Sequence, residues 1–150
     1  MKVTDTIATV LKNKAINTVL SISPEQTVYH ALEIMAHHDV GALLVLSNMR
    51  LVGILSERDY ARKGILMGHA SKETLVRDIM TSPVTYVGPQ QTVDECLTIM
   101  TQHHFRHLPV VQNDAVIGLI SIGDLVKWTI SGQAHAIEAL EGYISGAYPG

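Results

Sequence analysis

The feature that most constrains the fold of this chain is an internal repeat. When the 150-residue sequence is shifted by 65 positions, Pro24–Tyr60 aligns without a gap on Pro89–Leu125, and 14 of the 37 paired residues are identical. A repeat of this length indicates that one supersecondary unit occurs twice. Because such a unit leaves an apolar face that it cannot cover alone, we expect the two copies to pack with pseudo-two-fold symmetry.

Each copy contains a helix near its start. In the second copy, Thr92 and Glu95 form a capping-box pattern in front of an apolar helical face, which predicts that a helix begins there. The corresponding helix of the first copy is predicted to begin at Thr27. Its start is weaker because His30 stands where the second copy has the capping glutamate.

Short strands and a second helix complete each copy. The predicted strands are Thr18–Ile22, Ala42–Leu46 and Leu51–Leu55 in the first copy and Val84–Val87, Leu108–Val111 and Val116–Ile120 in the second. Polar turns that contain Asn, at Ser47–Arg50 and Gln112–Ala115, indicate hairpins. A helix is predicted after each hairpin, at Asp59–Leu66 and Asp124–Ile130. The order is β-α-β-β-α twice, and the fold class is α/β (α+β).

The predicted domain organisation follows the repeat. Residues 1–66 comprise the first copy with a lead-in, and residues 67–131 comprise a linker and the second copy. The linker ends in a short helix at Leu75–Met80. Residues 132–150 form a tail with apolar residues at helical spacing, which could pack on the module or on a second subunit.

Composition and charge exclude several classes of protein. The formal net charge is −3 and like charges form no runs, so nucleic acid and anionic membranes are not expected partners. No apolar stretch approaches the ~20 residues that span a bilayer, and the start of the chain lacks a signal-peptide core. The single cysteine, Cys96, cannot form an internal disulfide and fits a reducing compartment. We expect a soluble, cytoplasmic protein.

The repeated motifs resemble those of the cystathionine β-synthase (CBS) domain. They are Asp78–Thr81, Arg106–Val110 and Gly118–Asp124, while Ser56–Lys63 resembles the matching segment of small stand-alone bacterial CBS-pair proteins. The resemblance covers about Thr18–Val126. It implies a tandem pair, called a Bateman module, that senses an adenosine ligand. In this family the ligand is commonly AMP, ADP or ATP, and in some members S-adenosylmethionine or a nicotinamide dinucleotide such as NAD(H).

Two Ser/Asp pairs stand where a strand is predicted to end and a helix to begin. They are Ser56 with Asp59, and Ser121 with Asp124. Free backbone N–H groups at such a position suit a ribose phosphate. The carboxylate can accept both ribose hydroxyls, while the serine hydroxyl and the amides would face the phosphate. The alternative is that Ser and Asp are ordinary helix caps, but their identical spacing in both copies favours binding.

Cationic side chains near these pairs are candidates for contact with phosphate. They are Arg58, Arg106 and His107, and, a turn further along, Arg62 and Lys63. An isolated arginine is usually a solvated surface residue, so position within the motifs is what singles these out. Arg58 is replaced by Gly123 in the second copy, and Arg106 by Gly41 in the first. Two sites of unequal affinity, or two different ligands, are therefore expected.

The family resemblance further implies an apolar slot for adenine in each copy. The expected members are Thr18, Val19, Leu20, Val40, Gly41, Ala42 and Ile54 in the first copy, and Val84, Thr85, Phe105, Leu108 and Leu119 beside Arg106 and His107 in the second. The resemblance also joins the slot of one copy to the Ser/Asp pair of the other across a cleft. Asp59 should then face Val84 and Thr85, and Asp124 should face Val19. Apolar members at strand ends are equally typical of core packing.

No motif of catalysis or metal binding accompanies these sites. The chain has no convincing acid/base pair, catalytic triad, P-loop or dinucleotide fingerprint. Adjacent histidines such as His37 and His38 point in different directions on a helix and cannot chelate one ion from one face. We therefore expect no catalytic residue, no catalytic cofactor and no metal.

A non-catalytic regulator must act through a partner. We expect an unidentified effector protein and a homodimer, which a monomer in light scattering at micromolar concentration would contradict. Two alternatives stay open. The first is a structural adaptor with vestigial clefts; the second, less favoured, is a nucleotide-hydrolysing enzyme with Asp59 or Asp124 as base.

Overall fold

The computed structural model describes residues 4–14 and 19–131 of the chain. Within these residues the structure is mixed helix and strand with small sheets, which confirms the α+β class. The described residues form two compact units. The first-repeat unit contains residues 19–86 and 111–118, and the second-repeat unit contains residues 4–14, 87–110 and 119–131. Thr18 and the predicted tail, 132–150, lie outside the described residues.

The helices and strands follow the repeat along the chain. In order they are α1 (Ile7–Lys12), β1 (Ser21–Ile22), α2 (Val28–His38), β2 (Ala42–Ser47), β3 (Arg50–Ser56), α3 (Glu57–Asp59), a π-helix (Tyr60–Ile65), α4 (Val76–Ile79), α5 (Val93–His103), β4 (His107–Gln112), β5 (Ala115–Ser121) and α6 (122–131). No helix among the described residues is long and apolar enough to cross a membrane.

The hairpins predicted from the Asn-containing turns are confirmed. β2 pairs antiparallel with β3 and parallel with β1, and β4 pairs with β5. Both turns place two residues at positive φ, Asn48 (50°) and Met49 (65°) in one, Asn113 (53°) and Asp114 (64°) in the other. Positive φ at both central residues defines a type I′ turn, whose twist matches that of the flanking strands.

The predicted starts of the two long helices are also confirmed. The Thr92 hydroxyl accepts from the Glu95 N–H at 3.1 Å, and a Glu95 carboxylate oxygen accepts from the Thr92 N–H at 3.1 Å. The Thr27 hydroxyl accepts from the His30 N–H at 3.2 Å. α5 therefore begins with a full capping box and α2 with a single capping bond.

One predicted strand does not form, and another is shorter than expected. The strand predicted at Val84–Val87 does not form, and Val87 makes only an isolated bridge to Val110. Pro83 offers no N–H to a ladder, and Gly88 and Pro89 follow immediately, which leaves little room for a strand. The strand predicted at Thr18–Ile22 is reduced to the two residues of β1.

The helix predicted at Asp59–Leu66 differs in its register. α3 is followed at once by the π-helix, in which the Leu66 N–H donates to the Ala61 carbonyl five residues back at 3.3 Å. Gly64 is buried against the Tyr60 ring, where an added Cβ would lie 2.8 Å from Cδ1. Tyr60 and Gly64 both lie within this π-helix, so the close contact between them belongs to its wider turn.

The lead-in helices are exchanged between the copies. α1 precedes the first copy but belongs to the second-repeat unit, whereas α4 precedes the second copy and belongs to the first-repeat unit. Corresponding backbone hydrogen bonds hold them: Ile7 N–H to Gln91 O (2.8 Å) and Val93 N–H to Asp5 O (2.9 Å), and Val76 N–H to Gln26 O (2.8 Å) and Val28 N–H to Thr74 O (2.8 Å). The domain boundaries at 66 and 131 stay a prediction along the sequence, because each compact unit draws on both copies.

Each unit has its own apolar core. Fully buried residues include Leu43 and Leu55 in the first-repeat unit and Leu108 and Ile120 in the second-repeat unit. The lead-in helices contribute Val76 to the first core and Ile7 to the second. The exchanged helices are therefore part of the packing that holds the Ser/Asp pairs in place.

Candidate functional site

The first Ser/Asp pair forms a reciprocal helix cap where β3 ends. The Ser56 hydroxyl accepts a hydrogen bond from the Asp59 backbone N–H at 3.1 Å. In return, the Ser56 N–H and hydroxyl donate to Asp59 Oδ2 at 2.9 and 3.0 Å. Ser56 and Asp59 therefore do act as caps. The cap also fixes the direction of the Asp59 carboxylate, which any ligand contact would require.

The other oxygen of Asp59 contacts two more side chains. Thr81 Oγ1 donates to Asp59 Oδ1 at 3.0 Å, and Lys63 Nζ lies 3.3 Å from the same oxygen. Thr81 is anchored by its backbone, which exchanges hydrogen bonds of 2.8 and 3.1 Å with Ile54. The Asp59 side chain is only 13% exposed. The carboxylate is thus enclosed by its own neighbours.

The second Ser/Asp pair repeats the cap where β5 ends. The Asp124 N–H donates to Ser121 Oγ at 3.1 Å, and the Ser121 N–H donates to Asp124 Oδ2 at 2.9 Å. Lys14 Nζ lies 3.0 Å from the same Oδ2 and donates to the Leu119 carbonyl at 2.8 Å. Lys14 follows α1, so the exchanged lead-in supplies the charge that opposes Asp124.

The surroundings of Asp124 shift its protonation equilibrium. Burial raises the pKa of its carboxyl, but the Ser121 N–H, Lys14 and the Ser121 hydroxyl together hold that pKa below the ordinary value of 3.8. A carboxyl whose pKa is lower in the folded than in the unfolded chain stabilises the fold at pH values above its pKa in the unfolded chain. That stability is lost as the pH falls through the folded pKa.

Breaking this ion pair should give a pH-dependent loss of stability. We expect Lys14→Met to lower the free energy of unfolding by about 1 kcal/mol near neutral pH. The difference from wild type should shrink as the pH falls below the ordinary carboxyl pKa of 3.8 and through the lowered pKa of Asp124, because protonation of Asp124 removes the pair from wild type as well. Urea unfolding at several pH values measures it, with exposed Lys12→Met as control. A deficit that is the same at every pH would contradict the role of Lys14.

Backbone contacts join the predicted slots to the first residue of the helix that begins after the serine of each Ser/Asp pair. The Gly41 carbonyl accepts from the Glu57 N–H at 3.0 Å. At the corresponding position of the second copy, the Arg106 carbonyl accepts from the Ile122 N–H at 2.9 Å. The repeat therefore preserves the contact although the side chains at Gly41 and Arg106 differ.

The side chains of the predicted slots differ in exposure. Ala42 and Leu108 are 2% and 0% exposed and belong to the packing. Those that are partly exposed are Val19, Leu20, Val40, Ile54, Val84, Phe105 and Leu119, and Thr85 is exposed. The Phe105 ring stacks on His103, with ring centroids 5.4 Å apart. The partly exposed members remain candidates for contact with a ligand.

The predicted cationic residues within the two motifs differ in exposure. Arg58 and His107 are partly buried and each has a contact within the structure, whereas the Arg106 side chain is exposed. Gly123 is exposed, and a Cβ there would lie 3.7 Å from Ser121 Oγ. The two Ser/Asp pairs therefore have different neighbours, and sites of unequal affinity or for different ligands stay a prediction.

Two residues at the sites were missed by sequence reasoning. Thr81 contacts Asp59, and Lys14 contacts Asp124. Thr81 lies in the Asp78–Thr81 motif, so its place there was a signal that could have been used. Lys14 lies before the repeat, and nothing in the local pattern indicates its contact.

Metal and thiol chemistry find no support in the part of the chain that the structure describes. Among residues 4–14 and 19–131 there is no group of three or more His, Cys, Asp or Glu side chains that could hold a metal ion. Cys96 is buried in the core, where burial and then the charge of Glu95 raise the pKa of its thiol to about 11. Cys96 therefore remains protonated near neutral pH and behaves as a small apolar residue.

Comparison with known proteins identifies the family. The family model described as the CBS domain matches residues 14–64 and 76–131. The chain belongs to the CBS-domain family. It is a tandem CBS pair, and its two matched segments contain Ser56 with Asp59 and Ser121 with Asp124. These matches support a regulatory module.

Relatives with solved structures share the fold of this CBS pair. A protein with CBS domains from Burkholderia ambifaria is 47% identical, with a TM-score of 0.83 over 86% of this chain and 96% of that chain. The hexameric CBS-CP12 protein of bloom-forming cyanobacteria is 25% identical, with a TM-score of 0.74 over 82% and 67% of the two chains. A further relative is matched by sequence. The mitochondrial CBS domain-containing protein CBSX3 of Arabidopsis thaliana is 38% identical over 151 residues, 95% of this chain and 73% of the relative.

Proposed function

We propose that this CBS pair is a non-catalytic sensor of an adenosine ligand. AMP, ADP and ATP are the first candidates, and NAD(H) and S-adenosylmethionine are the alternatives. The main support for this proposal is that the carboxylates of Asp59 and Asp124 form matching helix caps. Asp59 and Asp124 occupy the same position in the two repeats, and each has a lysine ammonium 3.0–3.3 Å away.

The chemistry of these carboxylates suits a ribose. An ionised carboxylate accepts hydrogen bonds at two oxygens, so it can receive the two hydroxyls of one ribose. Lys63 and Lys14 offset the negative charges of Asp59 and Asp124, which lowers the repulsion that a phosphate-bearing ligand would meet. Arg58 and Arg106 would add further positive charge.

We also propose which residues come together to form each site. Asp59 contacts Thr81, which lies three residues before Val84, and this supports the expectation that Asp59 faces the slot of Val84 and Thr85. The corresponding expectation that Asp124 faces Val19 stays a prediction. Ser56, Arg58, Arg106, His107, Ser121 and Gly123 complete the proposed ribose and phosphate contacts.

A sensor of this kind also requires a partner that reads its state. We infer an effector protein and a homodimer, and the hexameric CBS-CP12 relative shows that a protein of this family can assemble. Ile122, Val126 and Ile130 recur every four residues along α6 and are 40%, 44% and 60% exposed. Their spacing places them on one helical face, which would suit a contact between subunits. Light scattering that reports a monomer at micromolar concentration would contradict the homodimer.

A thermal-shift panel tests ligand binding. Protein stripped of carried-over ligand is heated with AMP, ADP, ATP, NAD, NADH and S-adenosylmethionine in turn. At a hundredfold excess over the dissociation constant, a ligand should add about 2.7 kcal/mol. For a chain of 150 residues this corresponds to a rise in Tm of about 5–10 °C. No rise with any ligand would contradict the proposal and favour a structural adaptor.

A further inference from the structure

Both oxygens of the Asp59 carboxylate are already engaged by the chain. Among the described residues, Asp59 Oδ2 accepts from the Ser56 N–H and hydroxyl, and Oδ1 accepts from the Thr81 hydroxyl. Lys63 Nζ lies 3.3 Å from Oδ1 and donates to Thr81 Oγ1 at 3.3 Å. A carboxylate offers about four lone-pair positions, so a ribose that donates two hydroxyls to Asp59 must compete with groups that are part of the chain.

The Asp124 carboxylate is less occupied. The Ser121 N–H and Lys14 Nζ both lie against Oδ2, and the Ser121 hydroxyl also contributes a hydrogen bond to the carboxylate. In the second repeat, Trp128 stands at the position of Lys63, and its Nε1 donates to Asp5 Oδ2 at 2.8 Å instead of to Asp124. Asp124 thus lacks the lysine that Asp59 has four residues along its own helix.

We propose that Lys63 and Thr81 form an intramolecular latch that competes with the ligand for Asp59. The inference rests on the proposed function and adds an order to it: the Asp124 site fills first, and the Asp59 site fills only when the latch opens. Lys63 and Thr81 are then affinity-determining residues that oppose binding of ribose.

The two parts of the latch differ in mobility. Lys63 is 46% exposed, and a long flexible side chain at that exposure can turn into solvent. Thr81 is anchored to Ile54 by two backbone hydrogen bonds, so only its hydroxyl can rotate away. Lys63 also lies in the π-helix and Thr81 just after α4. Opening the latch would thus release a contact between these two segments.

The test measures adenosine binding to the Asp59 site alone. Asp124→Ala removes the other site, and Lys63→Met with Thr81→Val then removes the latch while keeping side chains of similar size. Adenosine is the probe because it has the ribose hydroxyls but no phosphate, so loss of a lysine cannot weaken a phosphate contact. Equilibrium dialysis should show affinity about tenfold higher without the latch, since two donors no longer compete.

Matched variants separate the latch from other effects. Lys63→Arg keeps a cation that can contact Asp59 and should stay close to the parent affinity. Lys127→Met removes one positive charge from α6, at an exposed position that does not take part in the latch, and should leave affinity unchanged. A merely structural role for Lys63 and Thr81 would lower Tm in the latch variant without raising affinity for adenosine.

The outcomes distinguish the latch from the proposed function. Unchanged or weaker adenosine binding in the latch variant, with binding at the Asp124 site intact in the wild-type chain, would overturn the latch alone. Absence of adenosine binding from both the wild-type chain and the latch variant would overturn the latch, and absence of AMP binding from the same two proteins would overturn the proposed function as well. A tenfold gain confined to the Asp59 site would support both.

Discussion

Asp124→Ala should weaken binding of AMP at one site by about tenfold to a hundredfold, which corresponds to about 1.5–3 kcal/mol for a hydrogen bond to a charged group. The other site should be nearly unaffected. Asp59→Ala should have the reciprocal effect, although the latch makes the affected site the weaker one. Isothermal titration of the wild-type chain and of each variant measures both affinities.

Two controls keep this result interpretable. The Asp124 carboxylate also caps α6, so Asp124→Asn provides a variant that keeps an oxygen acceptor for the Ser121 N–H while it loses the charge. Glu33→Ala removes a carboxylate that is 60% exposed and stands outside both proposed sites. If neither aspartate variant changes any affinity for AMP, the assignment of the sites is wrong.

Leu108→Ala should lower the free energy of unfolding by about 2–5 kcal/mol, the range for a leucine removed from a packed core. Leu108 is 0% exposed and packs in the core of the second-repeat unit. The sequence placed it in the adenine slot, but its side chain fills the core. The place of Leu108 in the slot stays a prediction.

Chemical denaturation measures the effect of Leu108→Ala. Leu119→Ala is the matched control, because Leu119 was also predicted in the slot but is only partly buried. We expect a smaller loss of stability for Leu119→Ala, since less apolar surface returns to water. A loss below about 1 kcal/mol for Leu108→Ala would mean that the side chain is not in the core.

The repeat made most secondary structure predictable. Thr92 with Glu95, and Thr27 alone, are local signals whose partners lie within one helical turn, so the sequence suffices to find them. The Asn-containing turns are similarly local, because only their own residues need positive φ. The strand predicted at Val84–Val87 does not form because Pro83, Gly88 and Pro89 bound the segment and only Val87 finds a strand partner, in an isolated bridge to Val110.

The exchange of the lead-in helices could not be predicted from the repeat. Ile7 and Val76 make corresponding hydrogen bonds, yet they are 69 positions apart, four more than the repeat spacing of 65. An ungapped alignment at a shift of 65 therefore does not pair Ile7 with Val76, and it does not reveal that α1 corresponds to α4. The contacts of Lys14 with Asp124 and of Thr81 with Asp59 depend on the placement of these lead-ins. They are tertiary contacts between residues 110 and 22 positions apart.

Equilibrium dialysis of AMP, ATP and NAD against ligand-free wild-type protein and the Asp59→Ala/Asp124→Ala double variant tests whether the two aspartates bind an adenosine ligand. We expect saturable binding of at least one of these ligands to the wild-type chain and loss of that binding from the folded double variant. Failure of the wild-type chain to bind any of them, or equal binding by the two proteins, would contradict a role of Asp59 and Asp124 in adenosine binding.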